Sequence, residues 1–301
     1  MSSIPPPAYV HPGPPPEPPE YPEGLPPLKS GADLWKPWTA WLAIVLGLAV
    51  PLVLGIFAGV IIAATGGDIE DKLPAGVTIA LTFAQDAGFI LAPILVAGWL
   101  ATRARRLDFG IRKADRPWIA VAILAGVYVA FIVFSAVWVS ALGIKDKDTL
   151  PQELGVEDST LNLVLVLVLV TVVAPIAEEF LFRGYIYRAL SNWKGALPAA
   201  IISGVIFGGI HLGSSPVGFV VPLMALGVGL ALLYHWTGSL FLPVALHAFN
   251  NSIAFGATQD DWAWRYALSI PGAVIVSLLG LWLIGRALGD RPGRAAVVSA
   301  P

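Results

Sequence analysis

The chain has 301 residues, 56% of them hydrophobic and 13% charged, with a mean hydropathy of +0.76, whereas ordinary soluble domains carry roughly 25% charged residues. This composition excludes a soluble globular fold, and 18 basic against 20 acidic residues leave no basic surface able to hold nucleic-acid phosphates. There is no cysteine, which excludes disulfide frameworks, thiolate metal sites and a cysteine nucleophile.

The first 30 residues hold 12 prolines, in runs such as Pro5-Pro6-Pro7 and Pro14-Pro15-Pro16. With almost nothing apolar to bury, residues 1–36 are expected to form a disordered tail, either solvated or docking a proline-recognising partner. The tail lacks the apolar core of a signal peptide and is expected to be retained. Beyond it, apolar windows near the 20 residues needed to span a bilayer recur eight times. They cover 37–67, 73–102, 117–144, 159–188, 195–212, 216–234, 239–259 and 266–285. The expected fold is therefore all-α, a polytopic integral membrane protein of about eight transmembrane helices. Its membrane domain covers 37–288, followed by a C-terminal tail at 289–301.

Short cytoplasmic loops are enriched in Lys and Arg. With eight spans both ends share a side, and 14 of the 18 basic residues fall there, including six between Arg103 and Arg116. The other side has Lys72, Lys145, Lys147 and Arg265. Both termini are expected in the cytoplasm of a plasma-membrane protein, with the arginine cluster read first as a topology anchor and second as a lipid-headgroup site.

Ionisable groups inside a span are costly and usually face a cavity or a partner. The fourth span carries Glu178, Glu179 and Arg183. On a helix Glu179 and Arg183 stand at i and i+4, acid first, and can neutralise each other. Glu178 lies about 100° around the helix and is left available. Pro175 should bend the helix beside this pair. Phe207 and His211 sit on the fifth span, His247 and Asn251 one turn apart on the seventh. Asp86, beside Gln85 in mid-span, reads as a hydrogen-bonded helix contact. His235, between Tyr234 and Trp236, reads as part of an interfacial aromatic belt.

Glu178-Glu179-x-x-x-Arg183, then Phe207-x-x-x-His211, then His247-x-x-x-Asn251, in that order on separate spans, resembles the CAAX-processing and bacteriocin-processing family of intramembrane endopeptidases. The resemblance covers about residues 161–255, with a peptidase core expected at about 159–256. Amide hydrolysis needs a base for water and donors for the oxyanion. The residues and the resemblance assign Glu178 as base, His211 as a positioner of the same water, and His247 with Asn251 as oxyanion donors. Glu179 and Arg183 are structural support.

The family is often described as metal-dependent, and Glu178, His211 and His247 are the side chains that would hold zinc. Asn is a poor zinc ligand and there is no His-Glu-x-x-His helix, so the expectation leans towards a cofactor-free glutamate peptidase. Expected partners are membrane lipids and a protein or peptide substrate, lipidated or not. An ion- or proton-coupled transporter using Glu178, Glu179 and Asp86, and a non-catalytic scaffold or immunity protein, are the competing readings. Counted at about 1.5 Å per residue, His211 falls near the outer end of its span and Glu178 in the cytoplasmic half of its own. Either the fifth helix tilts or only partly crosses, or the fourth runs far beyond the bilayer.

Overall fold

The computed structural model describes residues 35–66, 73–100, 105–145, 149–259 and 264–289. The expected proline-rich tail up to residue 34, and the C-terminal tail beyond residue 289, lie outside the described residues. Within them the chain is helical, with one isolated bridge between Leu212 and Ser215.

Nine helices follow in order: α1 Pro37–Ala64, α2 Ala75–Leu100, α3 Pro117–Leu142, a single turn α4 Leu150–Glu153, α5 Thr160–Lys194, α6 Ala196–Gly209, α7 Val217–Thr237, α8 Phe241–Ala257 and α9 Trp264–Leu288. Their ends follow local chemistry. Proline occupies the first helical position of α1 and α3, where no N–H is needed. Ser159 Oγ accepts from Asn162 N at the start of α5. Gly143 and Gly238 close α3 and α7 in the left-handed conformation that glycine adopts without strain.

Six helices are long and apolar enough to cross a membrane: α1, α2, α3, α5, α7 and the Ser269–Leu288 part of α9. The chain is an all-α, polytopic integral membrane protein. All eight expected spans are helical, but α6 has 14 residues and α8 has 17. At 1.5 Å per residue α6 is about 21 Å long, short of the ~30 Å hydrocarbon core. α5, with 35 residues, instead exceeds that thickness.

Loops at one end of the bundle are stitched together. Leu240 N donates to Gly110 O and Arg112 Nε to Gly238 O. Arg188 Nη1 donates to the carbonyls of Leu107 and Asp108, and Asn192 Nδ2 to Trp35 O. Above this layer the rings of Trp35, Phe109, Tyr185 and Phe180 pack together, with centroids 4.5 Å apart for Trp35–Tyr185 and Phe109–Phe180. Tyr185 also donates its hydroxyl hydrogen to Thr39 Oγ1. Exposed Trp38, Trp99, Trp118, Trp193, Trp236 and Trp282 all lie near helix ends on this same side, the arrangement of a membrane-interface belt.

Candidate active site

α5 is not a uniform α-helix. Leu169–Val173 and Phe180–Ile186 are wound as π-helix, and the α-helical turn Ala174–Glu179 lies between them. π segments recur at functional sites because the extra residue per turn redirects side chains and frees backbone groups. Here the cause is visible. Ala174 N–H reaches back to Leu169 O, and Pro175 has no N–H. These are the two helical donors within reach of Val170 O, and Asn251 Nδ2 on α8 donates to it instead at 3.0 Å. Pro175 thus does more than bend the helix: it creates the acceptor that ties α8 to α5.

The buried glutamate and arginine form one network with α8. Arg183 Nη1 donates to Glu179 Oε1 at 2.6 Å, with both side chains fully buried. Arg183 Nη2 donates to Gly227 O on α7 at 2.9 Å, and the guanidinium stands 4.5 Å from the Phe207 ring centroid. The i, i+4 pair expected from the spacing is present. Glu179 Oε1 has a second partner, which the spacing did not reveal: His247 Nδ1, at 2.8 Å. A carboxylate oxygen only accepts, so Nδ1 carries the hydrogen and the ring orientation is fixed.

His247 Nε2 then faces Glu178 Oε2 at 3.8 Å. That oxygen is buried and has no hydrogen-bond partner, and Glu178 as a whole is 8% exposed. Glu179 Oε2 is also buried without a partner, but Glu179 is tied through its other oxygen to Arg183 and His247, whereas Glu178 is not hydrogen-bonded to either.

His211 follows α6 in a short loop held by bonds from the Ser214 and Ser215 N–H groups to its carbonyl. Its Nδ1 is 2.8 Å from Phe207 O, so the hydrogen sits on Nδ1 and Nε2 is the acceptor. The Phe207 ring packs against both histidines, 5.2 Å from His211 and 5.6 Å from His247 by ring centroids. Glu178, Glu179, Arg183 and His247 make direct polar contacts, whereas His211 joins them across Phe207.

The depth conflict has a structural answer. α5 runs to Lys194, six residues past the Arg188 level at which the loops are stitched, and α6 restarts at Ala196. Glu179 lies 15 residues before Lys194 and His211 lies 15 after Ala196, so the two stand at one level. Glycine allows the close approach this needs. A Cβ on Gly204 or Gly208 of α6 would lie 2.6 Å from the backbone N of Val228 or Met224 on α7, so the Gly-x-x-x-Gly face admits α7 at backbone contact distance. Arg183, being fully buried, is not one of the surface charges that bear on orientation.

Asp86 on α2 is also buried, and its Oδ2 has no hydrogen-bond partner, unlike the bonded contact expected from sequence. It lies within electrostatic range of Glu178, and α2 packs against this part of α5. No three His, Asp or Glu side chains among the described residues come together in a way that could hold an ion. Glu178, His211 and His247 as arranged do not fit a zinc site of the two-His, one-Glu kind.

Residues 160–253, which contain all six site residues, match the family described as Rce1-like, type II CAAX prenyl endopeptidase Rce1-like. The protein named "Putative membrane peptidase YdiL" of Bacillus subtilis (strain 168) is 32% identical over 88 residues, 29% of this chain. That match spans about a third of the relative's own length, 35%. No solved structure matches the chain significantly. The likeness to membrane peptidases is thus carried by this segment, about a third of the chain, which holds the buried glutamates, the arginine, His211 and His247.

Proposed function

We propose that the protein is an intramembrane endopeptidase that hydrolyses a peptide bond of a membrane-associated protein or peptide, lipidated or not. The observation that carries this reading is the buried, unpartnered Glu178 Oε2 beside the Nε2 of a histidine whose other nitrogen is fixed on Glu179. Two such atoms 3.8 Å apart are at a separation that one water can bridge, at ~2.8 Å from each.

Glu178 takes a proton from that water as its oxygen attacks the carbonyl carbon; His211, whose ring packs on Phe207 and not on Glu178, is assigned the second hydrogen once bound substrate brings its Nε2 to the water. With Glu178 and Glu179 both ionised, Arg183 balances one charge. A proton on His247 Nε2 balances the other and provides a donor to the tetrahedral oxyanion, alongside the second amide hydrogen of Asn251. The proton held by Glu178 then passes to the leaving nitrogen, the C–N bond breaks, and a carboxylate and an amine result. Every step uses this chain's own residues. Both termini are read as cytoplasmic in the plasma membrane, a reading supported by the basic residues and exposed tryptophans gathered at one end.

Quantitative proteomics of membranes from cells carrying the wild type and Glu178→Gln provides the test. One or more membrane proteins should retain a terminal peptide in the variant, with processing reduced by about 10²–10⁴-fold, the usual worth of a positioned acid–base group. Identical termini in both strains, or ion-coupled flux by the reconstituted protein without cleavage, would sink the reading. Cleavage by the purified protein is expected to survive thorough chelation. Complete loss that Zn²⁺ restores would overturn the metal-free steps.

A further inference from the structure

A cavity of about 580 Å³ opens at the stitched end of the bundle, separate from the glutamate and histidine cluster. Its walls include Arg112, Arg188, Tyr187, Tyr234, His235 and Ser191, and no Asp or Glu lines it. The charge inside is poorly balanced. Arg188 spends Nη1 on the carbonyls of Leu107 and Asp108, without a carboxylate partner among the described residues. Arg112 gives Nε to Gly238 O and has Asp115 only at 3.8 Å, both side chains being well exposed. The nearby Asp108 carboxylate is committed to Arg105, accepting from its backbone N and its guanidinium.

A second observation points to a missing acceptor. Tyr187 is buried, its ring packs edge-on against Tyr234 and His235, and its hydroxyl has no hydrogen-bond partner. Two guanidiniums, a phenol without a partner and an imidazole are donors suited to an oxyanion with several acceptor oxygens. The cavity is also at headgroup level, because Trp193 and Trp236, both more than half exposed, flank its walls in sequence and belong to the tryptophan belt.

We propose that this cavity binds a phosphate group, carried either by a phospholipid headgroup or by a soluble phosphate. The site does not depend on the peptidase reading, and it gives His235, which has no part in hydrolysis, a place in the molecule.

The test is thermal stability of the full-length purified protein, titrated in detergent with short-chain phosphatidylglycerol, with sodium phosphate, or with sodium chloride at matched ionic strength. Wild type should show a saturable upward shift. Arg112→Gln/Tyr187→Phe should weaken the apparent affinity by about tenfold or more, as loss of a charge-assisted contact implies, whereas Lys113→Gln, on the exposed loop outside the cavity, should not. Saturation by phosphatidylglycerol well below the concentration needed with phosphate assigns the lipid source; equal responses assign a soluble phosphate, and either upholds the site. Should the double variant fail to fold, Tyr187→Phe alone keeps the ring and removes only the donor, and a severalfold weakening is expected. An absence of saturable shift with both ligands, a shift that sodium chloride reproduces, or one unchanged in the variants overturns the proposal.

Discussion

α3 and α5 are both long and apolar enough to cross a bilayer, but they lie in opposite surroundings. In α3 only Ala120 is buried, and Trp118, at 85% exposure, stands out from the bundle. In α5 thirteen consecutive residues from Pro175 to Tyr187 are buried, which encloses every face of the helix for more than three turns. In water such a difference would appear as an amphipathic pattern. In a bilayer it does not, because lipid and protein interior are equally apolar. The difference lies in the few polar groups: α3 has no ionisable residue besides Tyr128, whereas α5 carries Glu178, Glu179 and Arg183 where only partners can hold them.

The comparison can be broken at three places, in descending order of expected effect. Arg183→Met leaves Glu179 as an uncompensated buried charge, and the loss of one partner of such a pair should cost about 3–5 kcal/mol, read as a lowered melting temperature. Adding Glu179→Gln should restore most of that stability but no cleavage, because His247 Nδ1 then lacks the carboxylate that orients it. Recovery of activity in the double variant would mean that Glu179 serves only Arg183. Gly208→Ala touches no polar group, yet it drives a methyl into the α7 backbone. About 1–3 kcal/mol of overpacking is expected, with a fall in cleavage as Phe207 and His211 shift. On the lipid-facing side, Trp118→Ala should change stability by no more than about 0.5 kcal/mol and cleavage not at all. A large effect there would show that α3 is part of the working interior.

Much of this was legible in the sequence. The eight apolar windows became eight helices, and the acid-first spacing of Glu179 and Arg183 produced the buried pair. Helix ends were harder to read. Residues 189–194 continue α5 with mixed polar residues that hydropathy assigns to a loop, and this error of about six residues made the glutamates and His211 seem to lie at different depths. The second role of Glu179 was not legible either, because its bond to His247 joins positions 68 apart in the chain. Nor was the anchoring of Asn251, whose acceptor exists only because Pro175 falls one turn after Val170. Asp86 was visible as an intramembrane acid but was assigned a bonded contact, and its unpartnered Oδ2 sets it near Glu178 as a group in search of a role.

The brevity of α6 affects the surrounding lipid as well as the protein. A rod of fourteen residues cannot hold two full leaflets apart, and hydrocarbon adapts to a short neighbour by pinching inwards. Under the proposed peptidase reading, a substrate helix on that flank would meet a thinner slab, with less hydrocarbon between its peptide bonds and the carboxylates.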